Sequence, residues 1–366
     1  MFRPGTYEEQ QRRQNIRILP TPPPQVTLHP NILSGDTDVQ ANLTKMNASW
    51  RRTIGLQWGY LVGTFAIEGS EEKLSEYMHN WLGHHLIEKR SQVTWEGIVV
   101  DLTLHSRIVR RRSLEEVWNK VASSYITNDG PQMTTFVDDV ASQSRYGIKE
   151  YIVSGNNLEL ADAERQRDAF LAEHKWPAVE RVSAGHDGQP YLEGIAIGYG
   201  LTTDWRFTQH VFAQVGGVDV SEESAALMTT LLAESQYITS ATVAANTNTV
   251  LLDVNKRRLR TSIEDIVEKG GSSSAYWRIR VTTGRKAAYG QIDFTPKYYL
   301  QDGQFRNSLN GPIVDPYLVT PGIVRDVSYP RGTDYPDSPY QDRRDFLLRE
   351  AIVDNGTLEW QIGDFE

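Results

Sequence analysis

The stretch from Trp81 to Leu104, W-L-G-H-H-L-I-E-K-R-S-Q-V-T-W-E-G-I-V-V-D-L-T-L, constrains this chain most, because it organises β-structure and carries no reactive constellation. A helix over Glu72 to Leu82 is expected to stop at Gly83, which takes the left-handed conformation without a Cβ clash and turns the chain into a strand. Strands are expected over His84 to Arg90 and Thr94 to Leu104, separated by the polar Ser91-Gln92. In the second, Ile98, Val100, Leu102 and Leu104 alternate with Val99, Asp101, Thr103 and His105, so one face is expected to be core. Gly97 beside the bulky Trp95 marks a β-bulge or a close approach of another backbone.

Strand and helix signals continue on both sides. Ile54, Leu56 and Trp58 alternate in one phase and Leu61, Phe65 and Ile67 in the other, so a turn or bulge near Gly59 is needed, as at the start of a β-barrel. Ser113 and Glu116 form a capping box, and Leu114, Val117, Trp118, Val121 and Tyr125 repeat at helical spacing. Tyr146 to Val153 reads as a strand, Ala161 to Lys175 as a charged helix stopped by Pro177, and Tyr191 to Phe207 as one long or two short strands. A helix near Ser221 to Ser235 places Ala225, Met228, Leu231 and Leu232 on one stripe. Thr261 and Glu264 open a further helix that Gly270 ends, with Ile263, Ile266 and Val267 buried. Tyr276 to Thr283 and Lys286 to Phe294 make a hairpin around Gly284-Arg285.

The ends differ in kind from the body. Of 16 prolines, 6 lie at or before Pro30 and 7 from Pro296 to Pro339, which predicts an extended, polyproline-like N-terminal arm through Pro20, Pro22, Pro23 and Pro24 and a loop-like C-terminal stretch. Asp342 to Ile352 is expected to recover a short helix before a last strand at Leu358 to Ile362. The residues thus divide into an N-terminal arm (1–47), a first β-rich region that starts like a β-barrel (48–112), an α+β insertion (113–190), a second β-rich region with two helices (191–300) and a Pro-rich C-terminal arm (301–366).

Several chemistries are excluded outright. The chain has no cysteine, which removes disulfides, thiolate metal sites and cysteine nucleophiles. A net charge of −9 argues against a nucleic-acid binder, since phosphate contact needs a basic surface. The polar start, Met1 to Gln14, lacks the apolar core of a signal peptide, and no apolar run approaches the ~20 residues that span a bilayer. No phosphate-cradling loop is present, and Gly194, Gly198 and Gly200 sit in strand context. His79, His84 and His85 lack the spacing of a metal motif, and Glu71-Glu72, Glu115-Glu116 and Asp138-Asp139 read as solvated faces. No catalytic, cofactor-binding or metal-ligating residue is nominated, and no enzyme is expected. Two basic runs, Arg107, Arg110, Arg111, Arg112 and Lys256, Arg257, Arg258, Arg260, are read either as docking points for an acidic neighbour or as solvated loops.

Gly63-Thr-Phe-Ala-Ile, the Trp81-Leu-Gly-His-His turn and Trp95-Glu-Gly-Ile-Val are followed by Ser113-Leu-Glu-Glu-Val-Trp and Tyr146-Gly-Ile-Lys-Glu. Tyr199-Gly-Leu-Thr-Thr-Asp-Trp-Arg, Ser235-Gln-Tyr-Ile and Tyr276-Trp-Arg-Ile-Arg complete the series. In this order, covering roughly Ala48 to Tyr299, the series resembles the tail-tip (baseplate hub) proteins of long-tailed phages and related prophages. The resemblance implies a β-rich α+β fold with tube-like β-barrel domains, helical insertions and extended terminal arms. It also implies a structural virion protein, made in the host cytoplasm, that closes the tail tube and passes DNA as cargo. Its partners would be two further copies of itself, the tail tube or distal tail protein, and a central fibre, spike or tape-measure protein. Trp95, Gly97, Arg110, Arg111, Arg112, Arg257 and Arg258 are the architectural or interface positions. A hexameric distal tail or tube-completion ring, and a carbohydrate- or receptor-binding tail module with exposed aromatics, remain open as alternatives.

Overall fold

The computed structural model describes the chain from Pro24 to Gln291, apart from 31–32, 34–37, 56, 90–92, 129, 156–158, 186–187, 216, 254–256 and 271–276. Beyond residue 291 it describes only the backbone of five strands. The N-terminal prolines before Pro24, the stretch 327–344 and Lys256 lie outside the described residues.

In chain order, β1 (Gln25–His29), β2 (Ala41–Asn42), β3 (Ser49–Gly55) and β4 (Trp58–Glu68) precede helix α1 (Glu71–Asn80). β5 (His85–Lys89), β6 (Val93–His105) and β7 (Ile108–Ser113) follow. Then come β8 (Lys120–Thr127), β9 (Gly130–Met133), β10 (Val137–Asp138), α2 (Val140–Tyr146), β11 (Glu150–Ser154) and α3 (Leu160–His174). β12 (Val179–Ala184) and β13 (Tyr191–Gly198) lead through a 3₁₀ segment, Tyr199–Trp205, to the short β14 (Gln214–Val215), β15 (Val218–Asp219) and β16 (Glu222–Glu223). α4 (Ser224–Ala233), β17 (Ser240–Val243), β18 (Thr249–Val250), α5 (Leu259–Lys269), β19 (Trp277–Thr282) and β20 (Lys286–Gln291) complete the body. The backbone strands are β21 (Tyr298–Gln301), β22 (Gln304–Arg306), β23 (Ile323–Asp326), β24 (Asp345–Asp354) and β25 (Thr357–Asp364).

The long strand β6 organises the main sheet. Its first half pairs antiparallel with β5 and its second half with β7 along one edge, while β13 runs antiparallel along the other. β13 then pairs with β4, β4 with β3, and β3 with β24. A register shift between Ile195 and Ala196, opposite Val99 to Asp101, displaces the strict alternation of β6, so Ile98 and Val99 are both buried and Val100 is only half-buried. The expectation of one core face on this strand is corrected accordingly, and α1 packs against β6 and β13.

The expected tube-like β-barrel domains are not formed. Among the described residues the ladder stays open, with β12 paired only to β7 and β17 only to β20, because β6 hands one edge to two diverging strands rather than curling to meet its own end. The fold is β-rich α+β with open mixed sheets. β8 forms a second sheet with β9, β10 and a parallel β11, covered by α3. Val121, Val153 and Leu171 form its small core, with Trp118, Tyr151 and Phe170 packed against them. The main hydrophobic cluster runs from Val26 to Tyr289, so the domain boundary expected at 190/191 passes through one core.

Other expectations fare unequally. α1, β5, β6, α3, α4 and the β19–β20 hairpin lie where sequence placed them, within a few residues. The helix expected from Ser113 is instead a turn followed by β8. The Ser113 hydroxyl accepts the Glu115 N–H, and the β-branched and serine-rich run to Thr127 pairs with β11. The helix expected over Asp342 to Ile352 is β24, in antiparallel register with β3 and β25. Tyr146 ends α2 and does not begin a strand, and residues after Gly198 turn into 3₁₀ helix. α5 starts at Leu259, capped at Arg258, so Thr261 lies inside the helix. No helix among the described residues is long and apolar enough to cross a membrane.

Candidate assembly surface

Trp95 and Gly97 sit at the centre of the main sheet. The Trp95 indole is fully buried, edge-on to Trp50 with centroids 5.4 Å apart and tilted towards Tyr60 at 6.2 Å. Gly97 faces Leu86 on one side and Gly198 on the other, and a Cβ there would stand 2.3 Å from the Ile197 carbonyl oxygen and 2.5 Å from the Trp95 ring. The pair is a close approach of backbones rather than an exposed contact. Gly83 turns helix into strand at φ +82°, and its N–H donates to the Val99 carbonyl.

Five arginines of the basic runs are engaged within the chain. On β7, Arg110 reaches Glu71 of α1 at 2.7 Å, and Arg111 pairs with Asp101 of β6 at 2.5 Å and Glu115 at 2.9 Å. The hydrogen bond that Arg111 Nε donates to Asp101, more than any other contact, raises the Arg111 guanidinium further above its usual range. Arg112 donates to the carbonyls of His79 and Pro177, and burial lowers its pKa. Arg257 pairs with Asp265 at 2.7 Å. Arg258 lies over Phe207 at 4.3 Å and donates to the Glu150 carbonyl at 2.9 Å. These forks tie elements of the chain together.

Two clusters of buried ionisable groups act as pins, apart from the buried Arg52–Glu88 pair at 3.1 Å. His84 and His85 open β5 from within the core, and burial lowers their pKa to about 4 and about 3. His85 Nε2 stands 3.8 Å from Glu96, and since burial also raises the Glu96 pKa, the contact lies beside a neutral imidazole and is no ion pair. The second pin joins the β8 sheet to the body. Lys149 Nζ donates to the Leu114 carbonyl and lies 4.9 Å from each of the Trp118 and Trp205 rings. Burial, then the nearby Arg258, lowers its pKa to about 7. Beside it the Glu150 carboxylate accepts the Phe207 N–H at 2.7 Å and meets Lys120 at 2.9 Å. Lys149-Glu150 stands in the Tyr146-Gly-Ile-Lys-Glu motif, but nothing in that pattern marks the charged pair as buried. Among the described residues no group of three His, Asp or Glu side chains can hold a metal ion.

Several apolar side chains stand outside the body. The β14–β15 hairpin exposes Val211 at 81%, Val215 at 73% and Val218 at 68%, anchored by the buried Phe212. The free edge strand β12 exposes Val179 and Val182, next to Ile108 on β7. Sequence reasoning missed the hairpin because its strands are two residues each, although a run from Phe207 to Asn255 without lysine or arginine was a legible sign. The tryptophans lie mostly inside. Trp50, Trp58, Trp81, Trp95 and Trp205 are buried, Trp118 and Trp277 half-buried, and Trp176 is exposed. No protein-family model matches this chain, and no curated protein matches it.

Proposed function

We propose that this chain is a structural subunit of a phage tail tip, a baseplate hub that closes the tail tube, joins it to a fibre or spike, and forms part of the DNA passage. The observation that carries the reading is an open, β-rich body that presents apolar surface on a free edge strand and on a projecting hairpin, the parts from which a ring of subunits is built. The ordered motif series from Gly63 to Arg280 supports the same assignment. Its charge suits a passage for DNA, because acidic walls do not retain a polyanion. The work is mechanical, and the arginine and lysine pins that join elements within the subunit serve it by making the body stiff.

The distal tail ring differs from this reading in copy number alone. The carbohydrate-binding alternative draws little support, because a sugar-stacking platform needs exposed ring faces and Trp176 is the exposed tryptophan among those whose side chains are described. Electron microscopy of concentrated protein tests the proposal. Closed rings with a central opening are expected, whereas dispersed single particles that retain glycans on an array would overturn it in favour of the binding module.

A further inference from the structure

The hairpin and the edge strand differ in charge as well as in shape. From Phe207 to Asn255 the chain has no lysine or arginine, and its carboxylates are Asp219, Glu222, Glu223, Glu234 and Asp253. β7 and β12 carry Arg110, Arg111, Arg112 and Arg181 against the single Glu180. The three β7 arginines are engaged within the subunit, and Arg181 is exposed on the outer strand between Val179 and Val182. On the hairpin, Asp219 lies between the exposed Val218 and Val220, opposite Gln214, which donates to it at 2.8 Å. A two-stranded ribbon of this length is marginal in water on its own, and both its outer edges have unpaired backbone groups among the described residues.

We infer that the Val211–Val220 hairpin of one copy docks along the free edge of β12 in a second copy, adding β15 to the sheet head to tail. This rests on the ring-forming reading above and names its interface. Antiparallel pairing with Asp219 opposite Arg181 sets Val218 against Val182 and joins the one carboxylate of the ribbon to the one arginine of the outer strand. Two different patches meet, so the contact is heterologous and forms a ring when the rotation between copies closes, whereas a two-fold dimer would need one patch to meet itself.

The absence of cysteine gives a clean test. Asp219→Cys and Arg181→Cys alter exposed positions, and directly paired strand residues fall within the Cα spacing that a disulfide accepts. Mild oxidation of the two variants mixed together is expected to give a cross-linked heterodimer that neither variant alone gives. Asp219→Arg is expected to weaken association about tenfold, with Arg181→Asp in the same chain restoring it. Homodimers from either single-cysteine variant, or no cross-link at all, overturn the interface. If native mass then shows trimers or hexamers, the ring reading survives without this contact. If it shows a monomer at every concentration, both fall.

Discussion

Gly97 shows how little room the centre of the sheet leaves. The gap to the Ile197 carbonyl is closed by backbone, which cannot rotate away, so Gly97→Ala is expected to cost ~3 kcal/mol or abolish folding, read from the urea midpoint. The pH dependence is argued at the same scale. His84 and His85 have folded pKa values below the unfolded value of 6.5, so between pH 6.5 and about 4 the unfolded chain takes up protons that the folded chain refuses. Stability is expected to fall by roughly 1.4 kcal/mol per pH unit for each histidine in that window. Lys149 works in another range. Its folded pKa of about 7 lies below the unfolded 10.5, so the cost of burying the ammonium is full below pH 7 and is relieved as pH rises towards 10.5. Melting temperature should rise across that interval relative to Lys149→Met, in which this slope is absent. The Trp95–Gly97 approach was legible, because a glycine beside a bulky aromatic in a strand has few other uses. Lys149 and Glu150 were not, since their burial is decided by Trp118, Trp205 and Phe207, which are distant in sequence.

Among elements, those read correctly have a local cause. α1 gives way to a strand where Gly83 takes a left-handed backbone angle, and the β19–β20 hairpin turns at Gly284 and Arg285, both in the left-handed region. β8 and β24 were misread as helices because their apolar positions also fit a helical period, and their true partners, β11 and β3, lie far along the chain. Tertiary pairing overrode local pattern in both. The seam between the β8 sheet and the body depends on Glu150, so Glu150→Ala leaves Lys120 and the Phe207 N–H without their acceptor. It is expected to cost ~3 kcal/mol, with faster amide exchange at Phe207 and along β11 and weaker effects at α1. Equal exchange throughout the molecule would mean that the seam carries no local stability.

For the whole molecule, the β-rich α+β class was legible in the strand and helix patterns, while barrel domains were expected from the tail-tip resemblance and from the alternation between Ile54 and Ile67. Alternation says which face of a strand is buried and nothing about whether the last strand meets the first, and here β7 and β5 share one edge of β6 and keep the sheet open. The proposed hub reading uses the open edges and exposed valines as contacts between copies, so it stands on self-assembly. The most direct test is the native mass of the purified chain by light scattering across a wide concentration range. The account predicts a discrete trimer that persists on dilution. A hexamer would move the assignment to the distal tail ring, and a monomer that never associates up to high concentration would contradict it.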